Sequence, residues 1–127
     1  MSVDFADGGA APVTLDASAL ARLRELDPDG RHDVVNRVLA AFETSLNRLL
    51  AQLRVEREAA DATVVAGIAH TLKSSAASVG ALALSATCSD IERRLRAGAA
   101  GDLPADVQHL LAEGQAALRA VGALLRS

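Results

Sequence analysis

The stretch DVVNRVLAAFETSLNRLLAQLRVERE, residues 33–58, carries Val35, Val38, Leu39, Phe42, Leu46, Leu49, Leu50 and Leu53 every three to four positions. That period lines all eight along one face of a helix. The stretch therefore predicts one long amphipathic helix from about Asp33 to Glu58. Its apolar face needs partner helices to cover it.

Those partners lie on both sides. A second long helix is expected from about Asp61 to Val79, stopping at Gly80, a natural left-handed C-cap. Another, about Leu82 to Ala97, puts Leu84, Cys88, Ile91 and Leu95 on one stripe and ends near Gly98-Ala99-Ala100-Gly101. The last, about Pro104 to Leu125, carries Val107, Leu111, Leu118, Val121 and Leu125, with Pro104 suited to the first turn. Upstream, Asp16 is a plausible N-cap for a short helix bearing Leu20, Leu23 and Leu26. That helix should end before Asp27-Pro28-Asp29-Gly30, because Pro28 disfavours helical geometry at Asp27. Residues 1–13 are rich in Gly, Asp and Ala without periodicity, and read as a flexible tail or linker end before a domain over 14–127. No strand pattern or repeat is present. The chain is thus expected to be all-α: an antiparallel four-helix bundle with an additional short N-terminal helix.

Composition narrows the function. The chain has 127 residues, enough for one domain with one modest core, and it is 50% hydrophobic but only 2% aromatic. A net charge of −3 and the lack of a basic block or aromatic platform argue against nucleic-acid binding. No apolar run reaches the length of a membrane span, and no signal peptide is evident. The single Cys88 has no internal disulfide partner, which favours a reducing, cytoplasmic setting. No fully apolar extra stripe demands a dimer, so a monomer is expected.

Of the 13 basic residues only Lys73 is a lysine, and it follows His70 by three positions. An ammonium one helical turn from an imidazole suits an imidazole that will carry an anion. On a helical wheel Val65, Ile68, Leu72, Ala76 and Val79 share one arc, with Ser75 at its edge, and His70 points away from it, towards solvent. Its neighbours Ala66, Gly67, Ser74 and Ala77 are small. Gly67 costs about 1 kcal/mol relative to Ala inside a helix, and low bulk around an exposed imidazole clears room for another protein surface.

The segment His70-Thr71-Leu72-Lys73-Ser74-Ser75-Ala76-Ala77-Ser78-Val79-Gly80-Ala81 resembles the signature of histidine-containing phosphotransfer (HPt) domains. Cys88 and Ile91-Glu92 continue the likeness, and Leu15-Asp16, Phe42 and the long helix fit the family's layout, so it covers roughly Leu15 to Arg96. Ser74 stands where many members have Gly. Members with Gln near Glu92 can hydrogen-bond the active imidazole; here a carboxylate occupies that region, and whether it reaches His70 is open. The resemblance implies a carrier that takes a phosphoryl group from a receiver-domain aspartate and passes it to another receiver. His70 would be the nucleophile, carrying the group on Nε2. Lys73 would offset its charge and the Ser74 hydroxyl would donate a hydrogen bond. Ala66, Gly67, Ala77 and Glu92 would border the docking face. The implied partners are response-regulator receiver domains and a hybrid sensor histidine kinase. No cofactor of the chain's own is expected, Mg²⁺ belonging to the receiver, and the chain is expected to be a phosphocarrier rather than an enzyme.

Two other readings share these residues: the phosphoacceptor domain of a chemotaxis-type histidine kinase, and a helical interaction module that has lost phosphotransfer. His32 and His109 show no metal-ligand spacing to His70 and read as surface residues. Cys88 reads as core. Nothing in the sequence places an acid behind His70, so Ser74, Ser75 and Ser78 form no Ser-His-Asp arrangement. No nucleotide-binding run is present. Arg93, Arg94 and Arg96 read as a solvated helix end or, alternatively, the border of the docking face.

Overall fold

The computed structural model describes residues 15–56, 61–99 and 101–127. These form five helices and no strand: α1 (Ala17–Glu25), α2 (Val34–Val55), α3 (Ala62–Ser78), α4 (Leu82–Arg96) and α5 (Leu103–Leu125). Helix α2 packs on α3 and α5, and α4 packs on α3 and α5, which closes a four-helix ring. Helix α1 rests on α2 and α3. The tail expected over residues 1–13 lies outside the described residues. So do Arg57 and Glu58, the expected end of the long helix, which closes at Val55.

The eight apolar positions of the opening stretch all join the core, six fully buried and Val35 and Val38 at its margin. From α5 the core takes Val107, Leu111 and Val121 as expected, with Leu110, Gly114 and Ala117 beside them and Leu118 and Leu125 partly covered. Gly114 belongs there for a steric reason. A Cβ at that position would lie 2.5 Å from Leu50 Cδ2, so α2 and α5 meet where one side chain is missing. Leu26 is a correction: α1 ends at Glu25 and Leu26 is 71% exposed. Among the described residues no helix is long and apolar enough to cross a membrane.

Aspartates start most of the helices. The carboxylates of Asp16, Asp61 and Asp102 accept from backbone N–H groups in the first turns of α1, α3 and α5. Asp33 does not cap α2; it sits at φ 52° without such a bond. The buried Asp27 replaces it, accepting from the N–H groups of His32 (3.0 Å) and Val34 (3.2 Å). A carboxylate from the loop thus meets the positive end of α2.

Helix α3 ends in a Schellman motif, with Ala81 N–H bonded to Ala76 O (2.8 Å) and Gly80 N–H to Ala77 O (3.1 Å). Gly80 has φ +84°, and its carbonyl accepts from Asp16 N–H at 2.8 Å, so α1 is tied to the α3–α4 corner. A Cβ on Gly80 would stand 2.5 Å from the Asp16 backbone nitrogen. Gly80→Ala is accordingly expected to destabilise the fold by about 2 kcal/mol or more, through left-handed strain and the clash. Chemical denaturation should show a lower midpoint, and a midpoint equal to that of the parent would refute the strain argument.

Candidate functional site

The site lies between α3 and α4. The α3 face turned towards α4 carries Ala66 and Ala69, both buried, and Ser85 on α4 donates its hydroxyl to Lys73 O at 2.8 Å. Small side chains let the two helices approach closely, as interdigitated packing requires. Ala66, expected to border the docking face, is only 4% exposed and lines a cleft between α3 and α4 with Ala62, Thr63, Leu95 and Arg96.

His70 projects outward from α3 with 63% of its side chain exposed, as the wheel predicted. Its Nδ1 lies 2.8 Å from Glu92 Oε2 on α4. An acid therefore does stand behind His70, contrary to the sequence reading, and the open question about Glu92 is settled by this contact. The same carboxylate accepts from Lys73 Nζ through Oε1 (2.8 Å) and from Arg96 Nε through Oε2 (2.8 Å). Its side chain is 9% exposed. The ammonium of Lys73, then Arg96 and His70, hold the Glu92 carboxyl down at about 2, against the burial that pushes it up.

An ionised carboxylate only accepts. The ring nitrogen facing it must therefore be the one that carries hydrogen, so Nδ1 is the donor. In the neutral imidazole Nε2 then holds the lone pair, and Nε2 has no bonded partner among the described residues. The result is an oriented imidazole with a nucleophilic nitrogen on its free side. Lys73 does not stand free beside His70 to await an anion; its charge is engaged with Glu92.

Gly67 is exposed, and a Cβ there would meet nothing within 4 Å. Ser74 is exposed one turn along, and Ala77 is half-buried. Ser75 and Ser78 border an apolar groove on the α2 side with Val38, Ala41, Phe42 and Val79. The serine hydroxyls of residues 75 and 78 donate to α3 carbonyls, and none reaches His70.

Sequence reasoning gave Arg96, with Arg93 and Arg94, a solvated helix end or the border of the docking face, and missed its bond to Glu92. The available signal was its position four residues after Glu92, the spacing of a helical ion pair. Arg94 faces elsewhere, bonded to Asp90 (3.0 Å) and to Asp106 (2.9 Å), and so ties α4 to α5. Cys88 is fully buried, and burial, with Glu92 and Glu113 nearby, pushes its thiol up to about 12; it is a core residue. His109 pairs with Glu113 along α5. Among the described residues no cluster of His, Cys, Asp or Glu is arranged to hold a metal.

Comparison with known proteins places this geometry. The family model described as the Hpt domain matches residues 37–123. Among solved structures the chain is similar to histidine-containing phosphotransfer protein B (HptB) from Pseudomonas aeruginosa PAO1. The two share 25% sequence identity and a TM-score of 0.73, over 92% of this chain and 97% of that one. No curated protein matches in a sequence search.

Glu92 also has a measurable consequence for stability. Its folded-state value lies below the ordinary 4.5, so it favours the folded state above pH 4.5. That contribution is lost as the pH falls from there through about 2. Over this window the stability of the parent should drop more steeply than that of Glu92→Gln, as read from urea midpoints. Parallel curves would contradict the three-donor site.

Proposed function

The chain belongs to the Hpt domain family and is a histidine phosphotransfer protein of a phosphorelay; from that premise we propose that His70 is the residue that carries the phosphoryl group, on Nε2. The observation that carries this reading is the 2.8 Å contact of Nδ1 with an ionised Glu92, which leaves Nε2 as the nucleophilic nitrogen.

The Nε2 lone pair attacks the phosphorus of a receiver's aspartyl phosphate. The bond from phosphorus to the aspartate oxygen breaks, and the electron pair leaves with that carboxylate. Nδ1 keeps its proton throughout, so no base has to remove one. The positive charge that develops on the ring lies against Glu92, which stabilises it where it forms. Transfer onward reverses the step: a second receiver's carboxylate attacks, the Nε2–phosphorus bond breaks, and the pair returns to a neutral imidazole. Lys73 holds Oε1 and aims the carboxylate, and the exposed Ser74 hydroxyl is one turn away for the phosphoryl oxygens.

Mg²⁺ and most of the transition-state stabilisation come from the receiver, so the chain acts as a phosphocarrier and not as an enzyme with its own nucleotide site. Gly67, Ala77 and the small residues near His70 form the landing surface for receivers and for a hybrid sensor kinase. Its setting is the cytoplasm, as a monomer.

Intact-protein mass spectrometry tests the assignment. After mixing with receivers phosphorylated in Mg²⁺, the parent should gain an acid-labile, alkali-stable phosphoryl adduct and His70→Gln should gain none. A folded parent without adduct across several receivers would overturn the reading in favour of direct kinase phosphorylation or a binding-only module. Gly67→Leu tests the landing surface: a Cβ there meets nothing within 4 Å and leucine raises helix propensity, so the variant should keep the fold yet weaken receiver binding by about tenfold or more. Unaltered binding would remove Gly67 from the interface.

A further inference from the structure

The ion pairs around Glu92 assign a role to a residue outside the His70-x-x-Lys73 motif. Lys73 and Glu92 carry opposite unit charges and meet at 2.8 Å, so that pair by itself is electrically neutral. A phosphoryl group arriving on Nε2 brings negative charge that this pair does not balance. Arg96 is the second cation on the same carboxylate, and with a neutral imidazole it leaves the cluster one net positive charge.

Arg96 is also the better placed of the two cations to turn towards the new anion. Its Nε bonds Glu92 Oε2, the oxygen that also accepts from His70 Nδ1, whereas Lys73 holds the other oxygen. Two donors on one oxygen sit within about 6 Å of each other. The Arg96 side chain is 58% exposed and that of Lys73 37%, so the guanidinium has more freedom to move. When the ring becomes cationic on phosphorylation, it binds Oε2 more strongly and repels the guanidinium, which favours release of Arg96 towards the phosphoryl oxygens. A guanidinium presents paired N–H donors that match such oxygens. Among the described residues the charged groups bonded to this site are Lys73 on α3 and Glu92 and Arg96 on α4; α1 and α2 contribute none.

We infer that Arg96 supplies the surplus charge that compensates the phosphoryl group on His70, while Lys73 serves to hold Glu92. The inference rests on His70 being the phosphoryl carrier.

The test uses phosphoramidate, which removes receiver docking from the measurement. Nε2 attacks its phosphorus, the phosphorus–nitrogen bond breaks, and ammonia leaves with the electron pair. The initial rate of adduct formation, read by intact-protein mass spectrometry, should fall roughly tenfold in Arg96→Gln, the scale of one partly screened charge at this range. Arg96→Lys should stay near the parent. The nitrogen-15 spectrum of His70 should still show the hydrogen on Nδ1 in Arg96→Gln, so that the slower rate reports a lost charge and not a lost orientation of the ring. An Arg96→Gln rate equal to the parent's, or loss of the Nδ1 hydrogen in that variant, would overturn the inference. A parent that gains no adduct on His70 would instead overturn the carrier assignment itself.

Discussion

A carboxylate almost fully withdrawn from water has to be surrounded by donors, and Glu92 is met by three: the His70 imidazole, the Lys73 ammonium and the Arg96 guanidinium. Each depends on the others. Without the two cations the carboxylate would be costly to bury and less firmly ionised, and an un-ionised Glu92 would not dictate which ring nitrogen carries hydrogen. The tautomer of His70, and with it the position of the ring's free lone pair, follows from the charge balance one layer beneath it.

That balance is a product of helix packing. Glu92 reaches His70 because α3 and α4 lie close, and they lie close because Ala66, Ala69 and Ser85 leave no bulk between them. The α3–α4 corner is fixed at its far end by the Schellman turn at Gly80 and by the bond from Asp16 to the Gly80 carbonyl. Arg94, bonded to Asp90 and Asp106, holds the other side of α4 against α5. A rigid frame of this kind matters for an exposed imidazole that has no covering structure of its own: its orientation is set entirely from below.

The same frame separates two uses of small residues that look alike in the sequence. Ala66 and Gly67 are neighbours and both lack bulk. Ala66 is buried at the helix contact, whereas a side chain at Gly67 would extend into open space. The first is small so that helices can touch, the second where nothing within the chain requires it. Arg94 and Arg96 divide similarly, one tying helices together and the other reaching the site, although both stand near the end of α4.

The helices, the left-handed stop at Gly80, the capping roles of Asp16 and the outward direction of His70 were legible in the chain, because each depends on spacing within one helix or one turn. Asp27 as the cap of α2 was not, since a loop carboxylate substitutes for the adjacent Asp33. Nor was the burial of Ala66, since a wheel shows a direction but not what stands there. The sequence by itself determined an all-α bundle that turns His70 to solvent. Only the tertiary structure decided that Glu92, 22 residues further on, would grip that histidine and share its charge with Lys73 and Arg96. The reason is physical: a contact between helices depends on their separation and rotation, which the packed side chains set together and no local pattern encodes.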